Sequence, residues 1–153
     1  MKEFDYDLNY KELDFTNEET RKLYRIGRGE QGVLLVRPYT NDICAHWRFK
    51  TPEIAKKSAK KIYEMYLEYR DKKDFIGMDM CRKFLEMGFT RSRRYANHRN
   101  GKKYDKEGNV IPQEKDHATC HFATSATIFK KTRDVVAKSA PYVSMRQQWR
   151  ENE

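Results

Sequence analysis

Residues 51–70 read TPEIAKKSAKKIYEMYLEYR, and this stretch decides that the fold is mostly helical. Thr51 can cap a helix, and Pro52 is favoured in the first helical turn. Apolar side chains then recur at steps of three and four residues, at Ala55, Ala59, Ile62, Tyr66 and Tyr69. This spacing predicts an amphipathic helix over residues 52–70, with most of its lysines on the outer face.

Four further helices are predicted downstream of this stretch. The first covers about residues 75–87 and ends at Gly88, a residue type favoured just after a helix. A short basic helix follows, with Thr90 as its cap. Asp116 is predicted to cap the next helical segment, and Pro141 to open the last one.

A β-hairpin is predicted upstream of the long helix. The run Val-Leu-Leu-Val at residues 33–36 is bounded by Gly32 and Pro38, which is typical of a buried strand. Residues 38–42 supply a turn, and residues 43–50 form the partner strand. The sequence therefore predicts a single α+β domain over residues 1–153, mostly helical, with a small antiparallel sheet near the N-terminal third.

Composition limits the kind of protein. A length of 153 residues fits one domain, and no run of about 18 apolar residues is present that could cross a membrane. The acidic N-terminus does not resemble a signal peptide. Three widely spaced cysteines do not suggest a disulfide framework, which favours a reducing compartment, and we expect a cytoplasmic protein.

Charge is distributed unevenly along the chain, whose formal net charge is +9. Residues 1–20 hold seven acidic side chains and two lysines, and form an acidic arm. Residues 91–106 hold seven cations and one aspartate, and residues 99–115 are predicted to be an exposed loop or weak hairpin. A focused basic segment favours a phosphate-bearing partner. The alternative is a solvated basic loop that has no partner.

A stripe of four polar side chains has helical spacing. Arg91, Arg94, Tyr95 and His98 follow the pattern i, i+3, i+4 and i+7, so on a helix they share one face. Arginine binds phosphate oxygens with two parallel hydrogen bonds, and tyrosine can stack on a base. We expect this stripe to bind phosphate together with three neighbouring cations, Arg99, Lys102 and Lys103. The alternative is a solvent-facing stripe that pairs with the acidic arm.

Two other segments carry candidate phosphate ligands. Along the predicted strand at 43–50, the residues His46, Arg48 and Lys50 alternate with apolar side chains and form a cationic ladder. Arg28 lies in the glycine-rich loop at residues 27–32, where the backbone can approach a ligand closely. An ordinary exposed strand face and a structural turn are the alternatives.

Catalysis is a second hypothesis. His98 can transfer a proton near neutral pH, and Glu30 is a carboxylate within a basic segment, so the pair could serve a nuclease or a nucleotide-processing enzyme. No cofactor and no metal is expected, because His117, Cys120 and His121 lack the paired spacing of zinc sites. A third hypothesis is an interaction module for an acidic protein partner.

Several motifs resemble a family catalogued as a domain of unknown function in bacteria, their phages and fungi. They are YRIGRGEQGVLLV at 24–36, HWRFKTPEIA at 46–55, GMDM at 77–80, RKFL at 82–85 and TRSRRYANH at 90–98. The resemblance covers roughly residues 4–104 and implies no reaction or binding residues. The phage members of the family imply a role in takeover of the host or in countering its defences.

The leading hypothesis from the sequence is a cytoplasmic protein that binds DNA or RNA. Its predicted basic cleft joins the glycine-rich loop, the ladder of Arg48 and Lys50, and the stripe that ends at His98. In this cleft the cations neutralise phosphates and Tyr95 stacks on a base or donates its hydroxyl.

Overall fold

Six α-helices make up the fold in a computed structural model, which describes residues 2–153. They are α1 Glu18–Arg21, α2 Tyr39–Cys44, α3 Pro52–Asp71, α4 Phe75–Asn97, α5 His121–Lys138 and α6 Ala140–Glu151, with a 3-10 turn at Tyr10–Glu12. The helices α3, α4 and α5 pack against one another, and α2 and α6 contact α4. None of the helices within residues 2–153 is both long and apolar enough to cross a bilayer.

The predicted helix at 52–70 is confirmed as α3. The Thr51 side chain accepts a hydrogen bond of 3.2 Å from the backbone N–H of Ile54, as expected of a cap. The residues predicted to face inward are buried in the core, except for Tyr69, which is half-buried. The spacing of apolar residues at three- and four-residue steps therefore predicted both the helix and the face that it buries.

The predicted break at Gly88 is wrong, because α4 runs without interruption from Phe75 to Asn97. Gly88 lies where α4 and α5 pack closely, and a Cβ atom there would come within 2.5 Å of the Phe129 ring. Thr90 caps no helix, and its hydroxyl donates to the carboxylate of Glu30. The glycine thus serves helix packing and does not end the helix.

The last two helices largely match the prediction. The helix α5 starts at His121 with Cys120 as its cap, four residues later than expected. Asp116 instead forms a separate turn, in which its backbone oxygen accepts from the N–H of Cys120. The helix α6 has Pro141 in its first turn and buries Tyr142 against the core.

The predicted antiparallel sheet is wrong, and the fold is all-helical. Within residues 2–153 no strand is present, and the β-structure consists of an isolated bridge between Tyr104 and Val110. Residues 33–36 form successive turns that bury Val33 and Val36 but leave Leu34 about half exposed. The Thr40 hydroxyl accepts from the N–H of Val36 at 3.0 Å and donates to the carbonyl of Val33 at 2.9 Å. One side chain thus makes the hydrogen bonds that a partner strand would have made.

The second predicted strand is also absent, since α2 occupies its first residues. The segment that follows is held against α3 by Ser58, whose hydroxyl accepts from the N–H of Arg48 at 3.0 Å and donates to the carbonyl of His46 at 2.7 Å. Trp47 and Phe49 point toward the core while their neighbours are exposed, so the predicted alternation is present without a partner strand.

The acidic arm contacts the core through aromatic rings. Phe4, Tyr10 and Phe15 are buried, and Phe4 stacks on Tyr10 with ring centroids 5.4 Å apart. Tyr6, between them, remains exposed. The arm is therefore packed along its length, and its acidic side chains stay at the surface.

Candidate nucleic-acid interface

A groove lined by aromatic side chains lies where the end of α4 meets the start of α5. Its volume is about 660 Å³. We call it the aromatic groove, and its lining residues are Cys44, Trp47, Arg48, Phe49, Lys50, Ile54, Tyr95 and Phe122. Five parts of the fold therefore converge here: the end of α2, the segment after it, the first turn of α3, the last turn of α4 and the first turn of α5.

The aromatic rings of the groove fix one another in tilted contacts. Phe49 lies 5.7 Å from Tyr95 and 6.4 Å from Phe122, and Tyr95 lies 5.5 Å from Phe122, measured between ring centroids. Trp47 packs edge-on against the buried ring of Phe84, which anchors the groove to the core. Because these rings support one another, the groove is organised before any ligand binds.

Two of the predicted phosphate ligands flank these rings. Lys50 is exposed at the start of α3. The guanidinium of Arg48 donates to the carbonyls of Cys44 at 3.1 Å and Trp47 at 2.6 Å, so it caps the end of α2 while remaining exposed. The cationic ladder predicted from the sequence therefore lies beside the aromatic groove.

The exposed loop at residues 99–115, which we call the basic loop, contacts the groove through Gly101. Gly101, with a φ of 74°, lies so close to Tyr95 that a Cβ atom would come within 2.9 Å of its ring. Lys102 and Lys103 follow at once and are exposed. This contact brings the backbone that carries the two lysines against the groove, and the ammonium of Lys103 lies over the ring of Tyr104 at 5.7 Å.

Arg99, at the start of the loop, is already paired. Its guanidinium donates to both carboxylate oxygens of Asp116, at 2.7 and 2.9 Å. This hydrogen bonding raises the pKa of Arg99 and lowers the pKa of Asp116. Arg99 therefore offers a ligand less free charge than the two lysines of the loop.

The predicted stripe is only partly on the surface. Since α4 is helical through Asn97, Arg91, Arg94 and Tyr95 share one face, and both arginines are exposed. His98 lies one residue beyond the helix, with its side chain only 6% exposed. Its Nδ1 atom has no hydrogen-bond partner among residues 2–153. The imidazole is therefore a buried neighbour of the stripe and does not extend it.

The glycine-rich loop lines a different groove. Arg28, Glu30 and Arg91 border a separate cavity of about 370 Å³. None of the rings of the aromatic groove lines this cavity. Glu30 accepts a 2.7 Å hydrogen bond from Thr90, which is eight residues, or about 12 Å of helix rise, from His98. The structure thus divides the predicted cleft into two grooves and does not bring Glu30 and His98 together.

The profile of a protein family described as "Domain of unknown function (DUF4385)" matches residues 5–152. The chain belongs to the DUF4385 family. The match confirms the resemblance to a domain of unknown function and extends it through the C-terminal third. No curated protein and no solved structure matches the chain.

No metal centre is formed by the described part of this DUF4385 chain. Within residues 2–153 no three histidine, cysteine or acidic side chains are grouped closely enough to hold an ion. His121 packs its ring on Phe122 at 4.3 Å, and the carbonyl of His117 accepts from Arg93 at 3.1 Å. Cys120 is buried at the start of α5.

Sequence reasoning missed most of the aromatic groove in this DUF4385 chain. At residues 43–50 only the cations were predicted to bind a ligand, and Phe122 was not among the predicted site residues. A signal was present, since Trp47 and Phe49 alternate with cations just before a helix cap. Only the packing of α4 against α5 places Phe122 beside them.

Proposed function

We propose that this DUF4385 protein binds single-stranded nucleic acid, with one unpaired base in the aromatic groove and the phosphates on the neighbouring cations. The observation that carries the proposal is the position of the basic loop, which packs through Gly101 on Tyr95. Aromatic faces and phosphate-binding cations thus adjoin each other, as binding of an unpaired strand requires.

Base stacking is supported by the size and lining of the groove. A volume of about 660 Å³ is within the range of small-ligand sites, roughly 300–1,000 Å³. Stacking on aromatic side chains tolerates any base, since every base has a π face. Bases in a duplex are already stacked, and so we expect single strands to bind more tightly.

Phosphate contacts are supported by the exposed cations around the groove. Lys50 lines the groove, Lys102 and Lys103 follow Gly101, which packs on Tyr95, and Arg94 precedes Tyr95 on α4. Such cations release counterions from the nucleic acid on binding, so affinity should fall steeply with salt.

Three labelled probes of equal length test the proposal: a single-stranded oligothymidylate, the same chain made abasic, and a duplex. Fluorescence anisotropy at low salt should show the single strand binding at least about tenfold tighter than the abasic chain, which has the same phosphates. The variants Tyr95→Leu and Phe122→Leu should remove this preference, while Tyr6→Leu, an exposed aromatic outside the groove, should keep it. Equal affinity for the abasic and normal strands would contradict base stacking, and absence of binding to all three would reject the proposal.

Two native side chains report binding at the groove itself. The substitution Trp149→Phe leaves Trp47 as the only tryptophan, and its fluorescence should be quenched by the single strand. Cys44 lines the groove while Cys81 and Cys120 are buried. Alkylation of Cys44 should therefore slow when the strand binds. Unchanged fluorescence and alkylation in the presence of bound strand would place the site elsewhere.

A reducing, cytoplasmic environment is part of this proposal. Its support is that all three cysteines, Cys44, Cys81 and Cys120, are free thiols.

A further inference from the structure

A second cavity, of about 720 Å³, lies between the glycine-rich loop and α6. Four arginines line it, and none of its lining residues within 2–153 is acidic. We call it the arginine pocket, and its lining residues are Ile26, Gly27, Arg28, Gly29, Arg82, Ala137, Tyr142, Val143, Arg146, Gln147 and Arg150. Arg82 of the arginine pocket is thirteen residues from Tyr95 of the aromatic groove, about 20 Å along α4. The two cavities are therefore separate sites.

Two of the arginines are held in place by the glycine-rich loop. Arg82 donates through Nη1 to the carbonyl of Gly29 at 2.9 Å, and Arg150 donates to the carbonyl of Gly27 at 3.0 Å. Their side chains are only 12% and 14% exposed. A guanidinium has five N–H donors, so donors remain for a ligand at positions already fixed by the fold.

The other two arginines are exposed at the rim of the pocket. Arg146 is exposed one helical turn before Arg150, so the two share a face of α6. Arg28 is 68% exposed and pairs with Glu3 at 3.3 Å. An exposed pair of this kind is weak, so a stronger anion can displace Glu3.

The buried cations beside the arginine pocket are paired with two carboxylates, Asp79 and Glu153, and Glu153 accepts from Arg150 at 3.4 Å. Asp79 is the carboxylate that faces both Arg82, at 2.8 Å, and Lys83, at 3.9 Å. Burial lowers the pKa of Lys83 to about 7, with Arg82 and Arg150 adding to the effect and Asp79 opposing it. Loss of solvation is the main cause of this shift, and an anion in the cavity would add a further partner for the guanidinium groups.

We infer that the arginine pocket binds a phosphate monoester through Arg82, Arg146 and Arg150. Planar guanidinium groups bind carboxylate and phosphate oxygens in pairs. Three of them match the three terminal oxygens and double charge of a phosphate monoester better than the two oxygens and single charge of a carboxylate. The apolar side chains of Ile26 and Val143 line the same cavity and leave room for the organic part of the ligand. This site is independent of the base-stacking groove proposed above.

The ligand can be a free phosphorylated metabolite or the terminal phosphate of a nucleic acid. Calorimetry and thermal unfolding with the full chain distinguish these sources through four probes: inorganic phosphate, ribose 5-phosphate, a nucleoside 5′-monophosphate, and an oligonucleotide with or without a 5′-phosphate. Saturable binding and a rise in Tm with any of these phosphates support the inference, and the tightest probe identifies the source. A preference for the 5′-phosphorylated oligonucleotide over its unphosphorylated form would identify a strand end.

Arg146→Gln is the decisive variant, because Arg146 is exposed and its replacement leaves the core intact. It should weaken phosphate binding at least about tenfold, the effect of losing a charge-assisted hydrogen bond. Arg70→Gln is the matched control, since Arg70 is exposed on α3 and pairs with Asp71. Equal binding by the Arg146→Gln variant and the wild type would overturn the inference. So would a Tm response to phosphate no larger than the response to sodium chloride of the same ionic strength.

Discussion

Tyr142 donates a hydrogen bond of 2.6 Å to the carboxylate of Asp79, and this contact ties the start of α6 to the second turn of α4. Asp79 is fully buried and also accepts from Tyr24 and from Arg82. Burial by itself would raise the pKa of Asp79, but the charges of Arg82 and Lys83 outweigh it and hold the pKa at about 2. One ionised carboxylate thus joins three segments of the chain and faces two cationic side chains.

Replacing Asp79 by asparagine should destabilise the protein strongly. The substitution keeps the size of the side chain but leaves the buried charges of Arg82 and Lys83 without a carboxylate. Removing one partner of a buried ion pair costs about 3–5 kcal/mol, which urea denaturation followed by circular dichroism can measure. Asp71→Asn, at an exposed site on α3, is the control and should change the free energy of unfolding little. A loss below about 1 kcal/mol in the Asp79 variant would contradict the role assigned to the carboxylate.

The buried lysine predicts an unusual pH dependence. The pKa of Lys83 is about 7 in the folded protein, against 10.5 for an ordinary lysine. Between these values the unfolded chain holds a proton that the native protein has released, so unfolding takes up a proton. Raising the pH therefore increases the free energy of unfolding in this window, by at most about 1.4 kcal/mol per pH unit.

The effect is isolated by comparing the free energy of unfolding of the wild type with that of Lys83→Met. Measurements at pH 7.5, 8.5 and 9.5 all lie roughly within the window between the two pKa values. The other groups around the lysine, Asp79, Arg82, Tyr24 and Glu153, are present in both proteins, so their titration cancels in the difference. The wild type should gain stability relative to the variant as pH rises. Parallel pH profiles would show that Lys83 keeps an ordinary pKa.

Gly88→Ala should lower stability although alanine is the better helix former. A Cβ atom at this position would come within 2.5 Å of the Phe129 ring, and such overpacking costs about 1–3 kcal/mol. The helix propensity of alanine offsets at most about 1 kcal/mol of this. In a Phe129→Leu background the ring is gone, and Gly88→Ala should become neutral or stabilising by urea denaturation. A stability increase in the wild-type background would show that α5 does not pack this closely.

Helices with a proline in the first turn and a regular apolar pattern could be predicted from sequence, as α3 and α6 show. The predicted hairpin failed because a short apolar run does not distinguish a buried strand from buried turns. At residues 33–36 the hydroxyl of Thr40 supplies the backbone partners, and no propensity scale contains that information. The prediction that a helix ends at Gly88 failed for a related reason. Only the contact with Phe129 shows that this glycine serves helix packing and does not end the helix.

The local pattern of cations and aromatic residues in the sequence predicted part of the candidate interface, because Arg48, Lys50 and Tyr95 line the same groove. The arginine pocket could not be found in this way. Arg82 and Arg150 are 68 positions apart in the sequence and meet only because both donate to carbonyls of the glycine-rich loop. A pattern search within one segment cannot detect such a meeting of distant segments.

The two lysines of the basic loop should control the salt dependence of binding to single strands. Each phosphate contact contributes about 0.7 to the slope of log K against log salt for a single strand, so Lys102→Ala with Lys103→Ala should reduce the slope by about 1.4. Arg99→Ala should have a smaller effect, because Asp116 already neutralises that guanidinium.

The preference for normal over abasic strands should survive in the Lys102→Ala/Lys103→Ala variant, since the aromatic rings are untouched. Lys56→Ala with Lys57→Ala is the control. These two lysines are exposed on α3, and replacing them removes the same amount of charge at a different place on the surface. An equal loss of slope in both double variants would mean that net charge, and not the loop on Tyr95, attracts the strand. A loop-specific loss would instead show that the phosphates lie next to the groove that holds the base.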